Sequence, residues 1–280
     1  MSLTTQKRIQ KNPVKTCEGR EIMKVYEFGK DNEKNLLMFQ CAAEPWWVFK
    51  SSAEALSKDF HVFLFISDGH DETGTDFISI EKNVDQAVSY LHGKNIRYLD
   101  MVYGISMGGS SVMYILAHQA MPVKKAIIDA GITPYPYPKW LCRIIAVKDY
   151  LLIRTAFKSL KLMKAVMPPE RWTPKGEDPE EHYRKLFEFG KNHYSGKTIY
   201  NVFWSANNYP MPDPVPETNT EIEYWYGEEE KTARKNDLAY AKRAFPQIVT
   251  KEFKGLQHAE LVMMFPERFG REVLRFWNER

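Results

Sequence analysis

Residues 98–116, YLDMVYGISMGGSSVMYIL, carry the side chain best suited to covalent chemistry. A β-prone run, Tyr98 to Tyr103, breaks at Gly104-Ile105-Ser106-Met107-Gly108-Gly109 and resumes as a helix bearing Val112, Met113, Ile115 and Leu116. Glycines two before and two after a serine allow a sharp turn where strand and helix come closest, and they leave the serine at its tip. Ser106 is the candidate nucleophile. The positive end of the following helix would favour the negative charge that develops during acyl transfer. Gly and Ser are common, so the strand and helix on either side carry the signal; the bland alternative is a tight turn.

The elements around this turn alternate. Residues 21–29 (EIMKVYEFG) alternate apolar and polar, as a half-buried strand does, while 35–41 (NLLMFQC) and 61–66 (HVFLFI) read as strands buried on both faces. Helices are expected over 46–57 and 80–94, a strand over 124–130, a strand at 221–227, a helix from about 231 to 244, and a last strand at 248–253. A closing helix near Pro266 places Phe269, Val273, Phe276 and Trp277 on one face. Strands alternating with helices predict an α/β fold, a mostly parallel central sheet with helices on both faces.

The rhythm stops between Thr133 and Glu217, a stretch bracketed by Pro134, Pro136 and Pro138 at one end and by Pro210, Pro212, Pro214 and Pro216 at the other. Prolines end regular elements and stiffen connections, so 133–217 reads as a helical insertion between a first core segment, 1–132, and a second, 218–280. Within it Trp140–Val166 is apolar and basic with helical spacing, and 179–189 is a second helix. Its aromatics fit a cap over a pocket; a small satellite core is the plainer reading.

Composition sets the partners. Charged residues are 27% and the formal net charge is +3, without a basic run beyond Lys7-Arg8, so no nucleic-acid partner is expected. Cys17, Cys41 and Cys142 are few, odd in number and without metal spacing, which favours a reducing, cytoplasmic setting. The polar first fifteen residues show no signal peptide and no apolar run reaches membrane-spanning length, so no membrane partner is expected. A homodimer is left open.

With the turn, the insertion and the terminal strand–loop–His in view, residues ~20 to 280 resemble the α/β-hydrolase superfamily of serine hydrolases. The resemblance implies a nucleophile, an acid and a histidine in that chain order. His258, in the Gly255-containing loop after the last strand, falls where the family places its base. Glu230 falls at the acid position, as Gly227-Glu228-Glu229-Glu230 keeps the family's spacing of glycine and carboxylate. Its two neighbours read as a solvated turn. Asp129, at the end of the strand after Ser106, is the alternative acid, and Asp237 lies too deep in its helix. For the oxyanion hole the resemblance implies the N–H of Met107 and one from the loop after the 35–41 strand, where Ala42 is the candidate; Gln40-Cys41 stands where many members have His-Gly.

The expected function is hydrolysis of carboxylic esters of small or medium substrates through an acyl-enzyme, with neither metal nor organic cofactor. Thioesterase, amidase and peptidase chemistry use the same constellation, and a non-catalytic ligand-binding protein of the same fold is the reading from another class.

Overall fold

The computed structural model describes residues 11–15 and 21–279. Cys17 and Lys7-Arg8 lie outside the described residues. Eight strands form one sheet: β1 (Lys11–Lys15), β2 (Glu21–Phe28), β3 (Asn35–Phe39), β4 (His61–Ile66), β5 (Leu99–Ile105), β6 (Val123–Asp129), β7 (Glu221–Gly227) and β8 (Val249–Phe253). Their order is β1-β2-β4-β3-β5-β6-β7-β8. The pairs of β1 with β2 and of β2 with β4 are antiparallel, and all others are parallel. This is the mostly parallel α/β sheet that the alternation predicts. The edge strand β1 was not anticipated in a polar stretch; Pro13 inside it is tolerated at an edge, where fewer ladder bonds are required.

The helices are α1 (Lys50–Leu56), α2 (Ile80–Gly93), α3 (Met107–Ala117), α4 (Lys139–Ala156), α5 (Leu160–Val166), α6 (Pro169–Trp172), α7 (Pro179–His193), α8 (Gly196–Ala206), α9 (Lys231–Ala244), α10 (Glu260–Met264) and α11 (Pro266–Asn278). Successive side chains of a strand point to opposite faces, and β3 shows the result. Leu36 and Met38 join an apolar cluster with α1 and α11, whereas Leu37 and Phe39 join one with α2, α3 and α9. The sheet is therefore covered on both faces, and α3 sits over its centre against β3, β5 and β6.

Five helices, α4–α8, lie between β6 and β7, within the stretch where the strand–helix rhythm stops. The single helical span expected over 140–166 is divided, because Ser159 caps a new helix by accepting from Leu162 N–H. The expected 46–57 helix likewise begins as a 3₁₀ turn, Trp46–Phe49, before α1. Helix α8 fastens the inserted stretch to the loop after β4: Phe77 N–H donates to Thr198 Oγ1 (3.1 Å) and Ile80 N–H to Ser205 Oγ (2.8 Å).

Candidate active site

Ser106 forms the turn between β5 and α3 with φ 57° and ψ −114°, a conformation L residues rarely adopt and one that costs on the order of 1–3 kcal/mol. The turn closes because the flanking glycines carry no side chain. A Cβ on Gly104 would stand 2.2 Å from the Gly108 carbonyl oxygen, and one on Gly108 would stand 2.6 Å from the Phe39 carbonyl oxygen. The second contact also brings the β3 end and the loop after it against the start of α3. Ser106 N–H donates to the Asp129 carbonyl (2.8 Å), which anchors the turn on β6.

His258 and Glu230 come from the two loops beyond β7 and β8. His258 Nδ1–H donates to Glu230 Oε2 (2.8 Å), while Glu230 Oε1 accepts from Gly227 N–H (3.2 Å). Burial pushes the Glu230 carboxyl up, but the His258 hydrogen bond, the His258 charge and the Arg234 guanidinium outweigh it and hold the group below its ordinary value. The ionised form is thus the one facing the imidazole. Gly227 lets the two loops meet, since a Cβ there would lie 2.3 Å from the Leu256 carbonyl oxygen. No hydrogen bond joins Ser106 Oγ to His258 among the described residues; such a bond commonly tightens only with substrate in place. His258 keeps 42% of its side chain exposed, and Ser106 only 7% of its surface, so the imidazole is the more open partner.

Asp129, the alternative acid, is paired elsewhere. Tyr103 Oη donates to its Oδ2 (2.7 Å). Burial pushes its carboxyl up to about 7, and the Glu230 charge adds to that, against the Tyr103 hydrogen bond and the His258 charge. Asp237 accepts from Thr133 N–H (2.8 Å) and Oγ1 (2.7 Å), a structural brace at the start of the insertion.

Glu228 and Glu229 are not merely solvated: Glu228 accepts from Gly255 N–H (2.9 Å), and Glu229 is gripped by Arg171 of α6. That arginine escaped the sequence reading. Its guanidinium donates to both oxygens of Glu229 (3.0 and 3.1 Å), both of Glu260 (2.7 and 2.9 Å) and the Gly255 carbonyl (2.8 Å). Glu260 in turn accepts from Gln257 N–H (2.7 Å), so the loop bearing His258 is tied to the inserted helices.

His70 also escaped. It is 1% exposed, its Nδ1–H donates to the Asp68 carbonyl (3.2 Å), and its Nε2 accepts from Ala43 N–H (3.1 Å). Burial pushes the imidazole down to about 4, so it is a neutral acceptor. Ala43 itself is left-handed (φ 59°). With Ala43 N–H occupied, Ala42 N–H is left without an acceptor among the described residues. Met107, at the first position of α3, has an N–H without an intrahelical acceptor. Ala42 packs on the small cluster that holds Met107, Phe77, Val202 and Tyr209.

A cavity of about 130 Å³ opens between Ala42–Glu44 and the inserted helices, walled by Ile153, Phe157, Met163 and Leu186. The one carboxyl on it belongs to Glu44, whose Oε2 is inaccessible and unpartnered and which burial pushes up to about 8. Neither Ser106 nor His258 lines this cavity, nor the larger ones of about 730 and 720 Å³. Among the described residues, no group of three or more His, Cys, Asp or Glu could hold a metal ion.

No protein-family model matches the chain, and no curated protein sequence does. Solved structures do match in fold. A serine hydrolase from the polyaromatic-hydrocarbon-degrading bacterium Cycloclasticus zankles has a TM-score of 0.71 at 14% identity, over 97% of this chain and 98% of that one. A hydrolase from Pseudomonas aeruginosa has a TM-score of 0.67 at 13% identity, over 98% and 100%. An esterase from a marine microorganism has a TM-score of 0.61 at 18% identity, over 91% and 99%. The chain has the α/β-hydrolase fold.

Proposed function

We propose that this protein is a serine hydrolase that cleaves carboxylic esters of small or medium acyl groups. The observation that carries the reading is the pairing of His258 with Glu230 at 2.8 Å, on the same end of the parallel strands at which β5 delivers the strained Ser106. In this reading His258 Nε2 takes the Ser106 proton as Oγ attacks the ester carbonyl. The imidazolium so formed is stabilised by the Glu230 carboxylate. The N–H groups of Met107 and Ala42 stabilise the oxyanion of the tetrahedral intermediate. Collapse expels the alcohol, which leaves with the proton from His258, and water then enters by the same route to release the acid and restore Ser106.

Helices α4–α8 act as the cap, and the cavity beside Ala42 takes the acyl chain. The fold hosts many acyl-transfer chemistries, so the substrate assignment rests on this cavity rather than on fold. The test is labelling with a fluorophosphonate probe followed by a panel of p-nitrophenyl esters. Wild type should label and turn over; Ser106→Ala should do neither, with a loss on the order of 10⁴-fold or more in kcat and an unchanged circular dichroism spectrum. Substantial hydrolysis by purified Ser106→Ala would reject the nucleophile.

A further inference from the structure

Helix α4 is amphipathic, yet its outward face is the apolar one. Cys142 and Ala146 are buried toward the rest of the insertion, where α4 lies against α8. Trp140, Ile144, Val147 and Leu151 are 63%, 57%, 43% and 55% exposed. Their spacing of four, three and four residues sets them in one line along the helix. Beyond Ser159, α5 continues with exposed Leu162 and Val166. Scattered exposed apolar residues are ordinary, but a continuous stripe is the mark of an interaction surface.

The charge around the stripe points to the occupant. Residues 139–166 hold seven lysines and arginines and a single acid, Asp149; the whole chain has 39 basic and 36 acidic residues, so the remainder is 32 against 35. The basic excess of the protein is thus concentrated here. Arg143 and Lys148 flank the stripe, and the exposed Lys158 and Lys161 follow it. Lys148 pairs with its neighbour Asp149 and Lys164 with Glu180, which leaves the excess largely unneutralised. Two copies meeting through this face would bring like charges together.

We propose that the outer face of α4, continued by α5, docks on an anionic phospholipid surface, with its apolar line in the headgroup–acyl boundary and the basic side chains on lipid phosphates. No described helix is long and apolar enough to cross a membrane, and a helix lying in the interface needs no such length. The expectation of no membrane partner considered spanning segments alone. The proposal does not depend on the serine hydrolase reading. If both hold, the inner side of α4, through Ile153 and Ala156, walls the proposed acyl cavity while its outer side meets the bilayer.

The experiment is co-sedimentation of the full chain with vesicles of pure phosphatidylcholine and with vesicles of which about a third of the lipid is phosphatidylglycerol. Binding should favour the anionic vesicles, weaken at high salt, and fall at least about tenfold in Ile144→Asp/Leu151→Asp. The double variant Lys158→Glu/Lys161→Glu should weaken binding to anionic vesicles alone and serves if the first variant misfolds. Equal binding to both lipids, no binding, or wild-type binding by both double variants overturns the proposal. Sedimentation velocity covers the remaining occupant: a wild-type dimer that Ile144→Asp/Leu151→Asp converts to monomer would give this face to a second copy instead.

Discussion

The Nε2 of His70 lies 3.1 Å from the backbone nitrogen of Ala43, and this one contact separates two adjacent N–H groups into an occupied donor and a free one. Ala43 is held in a left-handed conformation while Ala42 presents its N–H. In the proposed mechanism the imidazole is a positioning residue for the oxyanion loop. His70→Phe should lower kcat roughly ten- to a hundredfold with little change in KM, because the affected donor acts mainly on the transition state. His70→Gln, which keeps an acceptor, should recover much of the loss. Equal rates for wild type and His70→Phe would show that the loop holds its shape without the imidazole.

The acids can be separated by mutation and by pH. Glu230→Gln should cost roughly 10²–10⁴-fold in kcat, since His258 loses the charge that orients it. Asp129→Asn should stay near wild-type activity, because its partner is Tyr103. Stability should respond in the opposite order. The Asp129 carboxyl is raised from 3.8 to about 7, so its contribution is full below about 3.8 and is lost as pH climbs through about 7. Relative to wild type, Asp129→Asn should therefore melt higher at pH 8 than it does at pH 5. A dead Asp129→Asn beside an active Glu230→Gln would move the acid to β6.

Arg171 joins the insertion to the loop of the proposed base. Removing it leaves Glu260, a side chain only 6% exposed, without its guanidinium. Arg171→Ala should cost about 1–3 kcal/mol in urea unfolding and also lower kcat, because Gln257 and His258 lose their anchor. Arg171→Lys should recover only part of both, as a lysine cannot fork between two carboxylates. Unchanged stability and rate would mean that the loop is held by β8 and α10 alone.

In the proposed function the cavity beside Ala42 limits acyl length. At about 130 Å³ with apolar walls, each added methylene gains about 0.8 kcal/mol only while there is room for it. The ratio kcat/KM should rise from acetyl to butyryl or hexanoyl esters and fall for long chains, with charged acyl groups poor. Glu44 should be neutral below about pH 8 and ionise above it, so KM for the butyryl ester should climb in alkali, and Glu44→Gln should remove that climb. A rate that keeps increasing through C12 to C16 would overturn the short pocket.

Elements with local causes were open to reading from the chain itself. The turn at Ser106 depends on glycines that are its sequence neighbours, and the strands β3, β4 and β5 announce themselves as apolar runs because both of their faces are covered. The proline-bracketed break in the rhythm likewise coincides with the five helices between β6 and β7. Pairings across distance were decided only by the tertiary structure. Glu230 and Asp129 were both reasonable acids in sequence, and the β6–β7–β8 register together with Tyr103 of β5 paired one with His258 and tied the other, at the end of β6, to Tyr103. Arg171 lies 89 residues from Glu260, and Ala43 lies 27 from His70; no periodicity encodes such contacts, because they arise where two loops and an inserted helix are packed together. The same holds for α4. Its apolar spacing predicts a helix, but spacing is blind to direction, and only packing against α8 shows that the longer apolar line faces out.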